Sequence, residues 1–326
     1  MKKHKYTKEF VFYAVILILV LVMLYSGLQI LELTVFYGQE REFQVETKTI
    51  TRRGVKYFPR QDISVILLMG INQPGTVHPE KPNHGNSADM VALVVVDEAK
   101  ENWSVLNLNR DAMVDMPELD LEGKEIGTMY AQLAYAHTYG TGMEDSCENT
   151  RKAVSSFLGG VNIDYYVAMN VDAIAMLNDA VGGVTVEVTD DFSRVDPSLP
   201  MGTVTLTGDQ ARSFVQSRWY VGDELNLSRI ERQKQYMNGF VESFRKTMET
   251  SDTEFVLNTY NEVAPYLVSD LPVSTLTGMV ERYLDYPLSA VYSLQGENKL
   301  VDNYYEFYVD EDHLEELRLE LFYAPK

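Results

Sequence analysis

Only one cysteine, Cys147, occurs among 326 residues, so no intrachain disulfide can form and an exported domain would have to rest on its core alone. Histidine is scarce as well. His4, His78, His84, His137 and His313 make no ligand spacing, which argues against a histidine metal centre. Several catalytic signatures are missing: G-x-S-x-G, H-E-x-x-H, paired C-x-x-C, and a phosphate-binding glycine loop ending in Lys-Ser/Thr. Cationic residues are few, with 28 Lys and Arg against 48 Asp and Glu for a formal charge of −20. That balance disfavours a nucleic-acid partner. It also means that any local gathering of arginines needs a cause, because the average field repels the anions arginines bind.

What the chain does have begins with an uncharged run of 22 residues from Phe10 to Leu31. At about 1.5 Å per residue, this run spans a hydrocarbon core as a helix. Lys2, Lys3, Lys5 and Lys8 precede it and Glu32, Glu40 and Glu42 follow, so the positive-inside bias places residues 1–9 in the cytoplasm and the rest outside. A cleaved signal peptide would have a shorter apolar core, of about 7–15 residues. The expected organisation is therefore a cytoplasmic N-terminus (1–9), a transmembrane helix (10–31), an extracytoplasmic stalk (32–61) and one folded domain (62–326) on a cell membrane.

Within that domain, apolar runs at 63–69, 91–96 and 103–108 are short and β-branched, as in strands of a mostly buried central sheet. Strand runs also occur at 165–169, 183–188 and 304–309. Helical stretches are predicted at 128–139, at 144–158 before Gly159-Gly160, and at 172–181 before Gly182-Gly183. Thr207 to Gln210 and Ser228 to Glu231 have capping-box spacing, so helices are expected to begin at each, the second running to about 248. The pattern is α/β, a central sheet flanked by helices.

Arg229, Arg232 and Gln233 share one face near the start of that second helix. A helix N-terminus already carries positive partial charge, so arginines placed there invite an anion, and phosphate suits such ends. A return through Gly222 could bring Arg218 to the same place. Alternatively, the arginines pair with Glu231, Asp223 or Glu224 on the surface. Asp89 opens one strand run and Arg110-Asp111 closes another. An aspartate beside phosphate-binding arginines makes sense as a hard-oxygen ligand for Mg2+, whereas Asp111 reads as a residue that turns the chain.

The segments GINQPG, SADMVALVVVD, LNRDAMVDMP, AYAHTYG, DYYVAMNVDAIAMLNDAVGGVTVEV, LTGDQARSFVQSR and LSRIERQKQ, in order over about 62–245, resemble the LytR-CpsA-Psr family. The resemblance implies an α/β domain that holds a polyprenyl pyrophosphate lipid in an apolar tunnel and transfers its anionic glycopolymer to peptidoglycan with Mg2+ assistance. Teichoic acid and capsule are both candidate polymers. It further implies Asp89 as the metal-binding carboxylate and Arg110, Arg218, Arg229 and Arg232 as pyrophosphate ligands with Gln233 beside them. Three positions depart from the family pattern: Asn72 where an acid is usual and Gln216 in place of the first arginine of R-S-R, both still expected to bind substrate by hydrogen bonds to phosphate, and Tyr130 in place of a lysine. A diverged member that binds the lipid-linked intermediate without catalysis, and a lipid pyrophosphatase, are the alternatives.

Overall fold

The computed structural model describes residues 49–78, 85–120, 124–222, 226–302 and 304–325. The chain divides into units Met1–Gln44 and Val45–Lys326. The first, with the membrane segment expected at 10–31, lies outside the described residues; among those described, no helix is long and apolar enough to cross a membrane.

Part of the expected stalk is folded. Strands β1 (Ile50–Arg52) and β2 (Val55–Pro59) form a small antiparallel sheet closed by the last strand of the chain, so the folded unit starts before residue 62. The three apolar runs become β3 (Ile63–Ile71), β4 (Ala88–Asp97) and β5 (Asn102–Leu108). Next comes an antiparallel pair, β6 (Met113–Leu119) and β7 (Glu125–Gln132), with Asp115 opposite Tyr130. The helix expected at 128–139 is therefore absent, replaced by the end of β7 and a 3-10 turn at Leu133–His137. The reason is a period of two, with Thr128 and Tyr130 facing out while Met129 and Ala131 pack on the core.

Helix α1 (Glu144–Phe157), strand β8 (Tyr165–Asn170), helix α2 (Val171–Ala180) and strand β9 (Val184–Val188) stand where the sequence places them, and β9 pairs antiparallel with a strand the sequence reading did not include, β10 (Gly202–Leu206). Helix α3 (Gly208–Gln216) opens with the expected capping box of Thr207 and Gln210. Helix α4 (Asn226–Met248) does not begin at Ser228 but two residues earlier, which leaves Arg229 at the end of its first turn and Arg232 in its second. The remainder is α5 (Thr253–Val263), β11 (Leu267–Ser269), α6 (Val273–Tyr283), β12 (Leu288–Ser293), β13 (Gly296–Val301), β14 (Tyr304–Val309), α7 (Glu311–Phe322) and β15 (Tyr323–Pro325).

The main sheet has six strands in the order β11-β8-β3-β4-β5-β12 and is mixed, β3 being parallel to β8 and antiparallel to β4. Val65, Leu67, Met69 and Ile71 of β3 are buried, while Ile66 and Leu68 between them are only half-buried. One face is thus sealed by a core shared with α1, β6 and α7, and a second core forms where β9, β10 and α3 meet α4. Cys147 is fully buried within the first core, an inert thiol whose pKa burial raises well above the ordinary value.

Candidate active site at the strand ends

Antiparallel pairing of β3 with β4 and of β4 with β5 brings the C-terminal ends of β3 and β5 beside the start of β4. Ligand sites collect at such edges, where loops carry side chains above a rigid sheet. Asp89 lies there on β4. Arg110, just beyond β5, donates from Nη1 to Asp89 Oδ1 at 2.7 Å, and Ser87 Oγ donates to the same oxygen at 3.1 Å. From α4, Arg229 Nη1 lies 3.5 Å from Asp89 Oδ2, and its Nη2 donates to the Asp89 backbone carbonyl at 3.4 Å. Two arginines that are 110 residues or more apart in the chain therefore grip one carboxylate.

Arg218 completes the group. The chain returns from α3 through Gly222, whose φ of +60° is a left-handed conformation that glycine adopts without strain; a Cβ there would lie 3.1 Å from the Asp190 carboxylate. Arg218 is close enough to act on both Asp111 and Arg229. Burial pushes the Arg229 guanidinium down to about 10, against the opposing pull of Asp89 and with the repulsion of Arg110 and Arg218. It stays charged at neutral pH. Among the described residues three guanidinium groups stand here against two carboxylates, and charge-assisted hydrogen bonds to an anion's oxygens would offset the cost of gathering them.

Asp111, expected only to turn the chain, is buried, and its Oδ2 has no hydrogen-bond partner among the described residues. Burial raises its pKa against the pull of Arg110, Arg218 and Arg229. The sequence alone could not separate this acid from an ordinary turn residue, because the signal is its desolvation.

Arg232 and Gln233 face elsewhere. Arg232 is buried; its Nε donates to Phe214 O at 3.0 Å, its Nη1 to Asp190 Oδ2 at 2.8 Å, and its Nη2 to Ser217 O. Gln233 donates to Val215 O at 3.1 Å. Both side chains bind carbonyls at the end of α3, which lack helical donors, so they join two helices where the resemblance implies ligands. Glu231 sits 3.9 Å from Lys234; Asp223 and Glu224 lie outside the described residues.

Asn72 and Gln216, the departures at the end of β3 and the end of α3, meet each other: Gln216 Nε2 donates to Asn72 Oδ1 at 3.0 Å. An acid and an arginine at these positions would sum to zero charge, and so does this amide pair. Tyr130 stands apart on the exposed face of β7. Behind Asp89, His137 Nδ1 is 2.7 Å from Asn86 O, and a Cβ on Gly85 would meet His137 O at 2.4 Å, so close packing holds the approach to β4 in place. Burial lowers the His137 pKa, keeping the ring neutral.

This arrangement of a mixed sheet with arginines and an aspartate at its edge coincides with a specific similarity. The model of the LytR_cpsA_psr family matches residues 33–322, and the chain belongs to that family. A protein of Halalkalibacterium halodurans named polyisoprenyl-teichoic acid–peptidoglycan teichoic acid transferase TagU is 23% identical over 266 residues, covering 80% of this chain and 79% of its own. Its namesake in Enterococcus faecalis is 26% identical over 260 residues, 78% of each chain. Among solved structures, B. subtilis TagV has a TM-score of 0.62 at 21% identity, covering 80% of this chain and 96% of that one. TagT bound to LI-WTA has a TM-score of 0.62 at 23% identity, covering 86% and 96%. These structures share the fold.

Proposed function

We propose that this protein transfers an anionic glycopolymer from a polyprenyl pyrophosphate carrier to peptidoglycan, joining them by a phosphodiester. The observation that carries the reading is the convergence of Arg110, Arg218 and Arg229 on Asp89 and Asp111 at the sheet edge. In the reaction a hydroxyl oxygen of the peptidoglycan glycan bonds to the sugar-linked phosphorus. The bond from that phosphorus to the bridging oxygen breaks, and polyprenyl phosphate departs, the proton of the attacking hydroxyl passing to the freed phosphate oxygen or to solvent. Such transfers depend on positioning and charge neutralisation. Arg110 and Arg229 are held in fixed orientation by Asp89, and Arg218 lies near enough to act on Asp111 and Arg229; planar guanidinium forks suit bidentate contact with pyrophosphate oxygens.

Mg2+ fits the donor set. The described residues hold no cluster of three or more His, Cys, Asp or Glu suited to a metal, but Mg2+ bound with substrate phosphates needs only one or two carboxylates. Asp89 and the unsatisfied Oδ2 of Asp111 would be those ligands. The ion would supply neutralisation of charge on the phosphate oxygens. The half-buried apolar side chains Ile66 and Leu68 of β3, with Ile174 of α2 and Phe240 and Phe244 of α4, suit contact with a polyprenyl chain. A membrane anchor at 10–31 would hold the domain beside that lipid.

Product analysis tests the reading: the full chain is incubated with Mg2+, a polyprenyl-pyrophosphate-linked glycan and peptidoglycan fragments, with Arg229→Ala as control. Covalently joined product that the variant fails to form is the expected result. Retention of the lipid without transfer would favour the binding role, and release of phosphate without joining would favour a pyrophosphatase.

A further inference from the structure

An exposed aromatic and acidic surface adjoins the arginine group. Strand β14 is anchored to the site itself, since Phe307 N donates to Asp111 O at 2.8 Å and Phe307 pairs with Ala112. Phe307 is buried, so alternation along the strand turns Tyr304, Glu306 and Tyr308 to the opposite side. Tyr308 donates its phenol proton to Glu306. Tyr130 of β7 reaches this surface through the β6–β7 pair: Asp115 is its cross-strand partner, and Gln132, two residues on, donates from Nε2 to Tyr305 O of β14 at 2.5 Å; burial, then the Asp115, Glu306 and Glu311 carboxylates, raise its pKa. Tyr130 is 57% and Tyr304 65% exposed. On the border, the Arg218 guanidinium stands 5.4 Å from the Trp219 ring centre and 6.0 Å from that of Tyr305. Tyr305 lies on the Phe307 side of β14, so the strand meets the arginine group with one face and carries Tyr304, Glu306 and Tyr308 on the other.

Large aromatics left exposed together mark a binding surface, and tyrosine offers a rigid apolar ring with a polar tip at low entropic cost. The partner's chemistry follows from the charge. Asp115, Glu306 and Glu311 outnumber Lys299, whose Nζ stands 4.4 Å from the Tyr308 ring centre, so the surface disfavours the phosphate-rich donor polymer. A pyranose ring has an apolar C–H face to lie on tyrosine and hydroxyls to donate to carboxylates. We infer that this surface, centred on Tyr130, Tyr304, Glu306 and Tyr308, binds the uncharged sugar rings of the acceptor glycan strand and aims an acceptor hydroxyl at the phosphate held by the arginines. The inference rests on the transfer reading for its direction, but the binding can be measured alone.

The test uses the full chain, a Tyr130→Ala/Tyr304→Ala double variant, and Met201→Ala as a control at an apolar side chain 64% exposed elsewhere. Binding is read by depletion from solution onto peptidoglycan stripped of attached polymer, and separately to vesicles carrying polyprenyl pyrophosphate. The double variant is expected to lose peptidoglycan binding about tenfold, with vesicle binding unchanged and, in the transfer assay, a higher acceptor KM at constant kcat. Unchanged peptidoglycan binding would overturn the inference, as would equal loss of both ligands. If the protein performs no transfer yet the variant loses glycan binding selectively, the ligase reading fails while the glycan surface stands.

Discussion

Arg229 and Arg232 lie one turn apart on α4, yet only one of them points at the site. Arg229 grips Asp89, whereas Arg232 is committed to Asp190 and the end of α3. Arg229→Ala should lower transfer at least ~100-fold, the scale of losing a positioned charge donor. Arg229→Lys should recover little, because an ammonium lacks the planar fork; product formation, with circular dichroism to confirm folding, checks both. Asn72 and Gln216 invite a paired experiment. Asn72→Asp alone adds a negative charge beside the phosphate site and should raise donor KM about tenfold, equivalent to ~1.4 kcal/mol. Adding Gln216→Arg should bring it back within about threefold, since the pair then sums to zero again. An equally impaired double variant would mean that the amide hydrogen bond itself matters.

The junction of α3 and α4 is where elements set the geometry. The backbone turns through Gly222, and Arg232 and Gln233 tie the exposed carbonyls of α3 to α4, so the register between the helices places Arg218 against Arg229. Arg232→Met should cost ~3 kcal/mol, the scale for breaking a buried pair, and is visible as a lower Tm. Transfer by the fraction still folded should stay near that of the parent chain. A large loss of kcat without loss of Tm would instead make Arg232 a substrate ligand. The 128–139 segment carries a related lesson. Residues 128–131 alternate between solvent and core, and pairing with β6 along that period makes them a strand.

Across the whole molecule, carboxylates pull stability in opposite directions with pH. For Asp97, burial favours the neutral acid, but hydrogen bonds from Arg60 at 2.5 and 2.6 Å and from Lys100 hold its carboxyl well below the usual range. A depressed folded-state pKa gives stability that is present above the unfolded value of roughly 3.9 and lost as pH falls through the folded one. Asp111, Asp164 and Asp270 are raised by burial and recover stability as they protonate. A Tm profile should therefore stay flat or rise slightly as pH falls toward about 5, then drop steeply below about 4. Asp97→Asn should flatten that drop while lowering Tm at neutral pH. An unchanged acid limb would refute the assignment.

The sequence by itself determined the α/β class, the strands β3, β4, β5 and β8, the capped helix α3 and the family motifs. Each rests on local rules: β-branched runs, cap spacing, and residue order within a motif. It also named Asp89, Arg110, Arg218 and Arg229 as candidates. Tertiary structure decided which arginines meet the aspartate, that Asn72 answers Gln216, and that Asp111 is buried rather than solvated. Those outcomes depend on helix register, on burial and on contacts across as many as 144 residues of chain, and no local pattern encodes them.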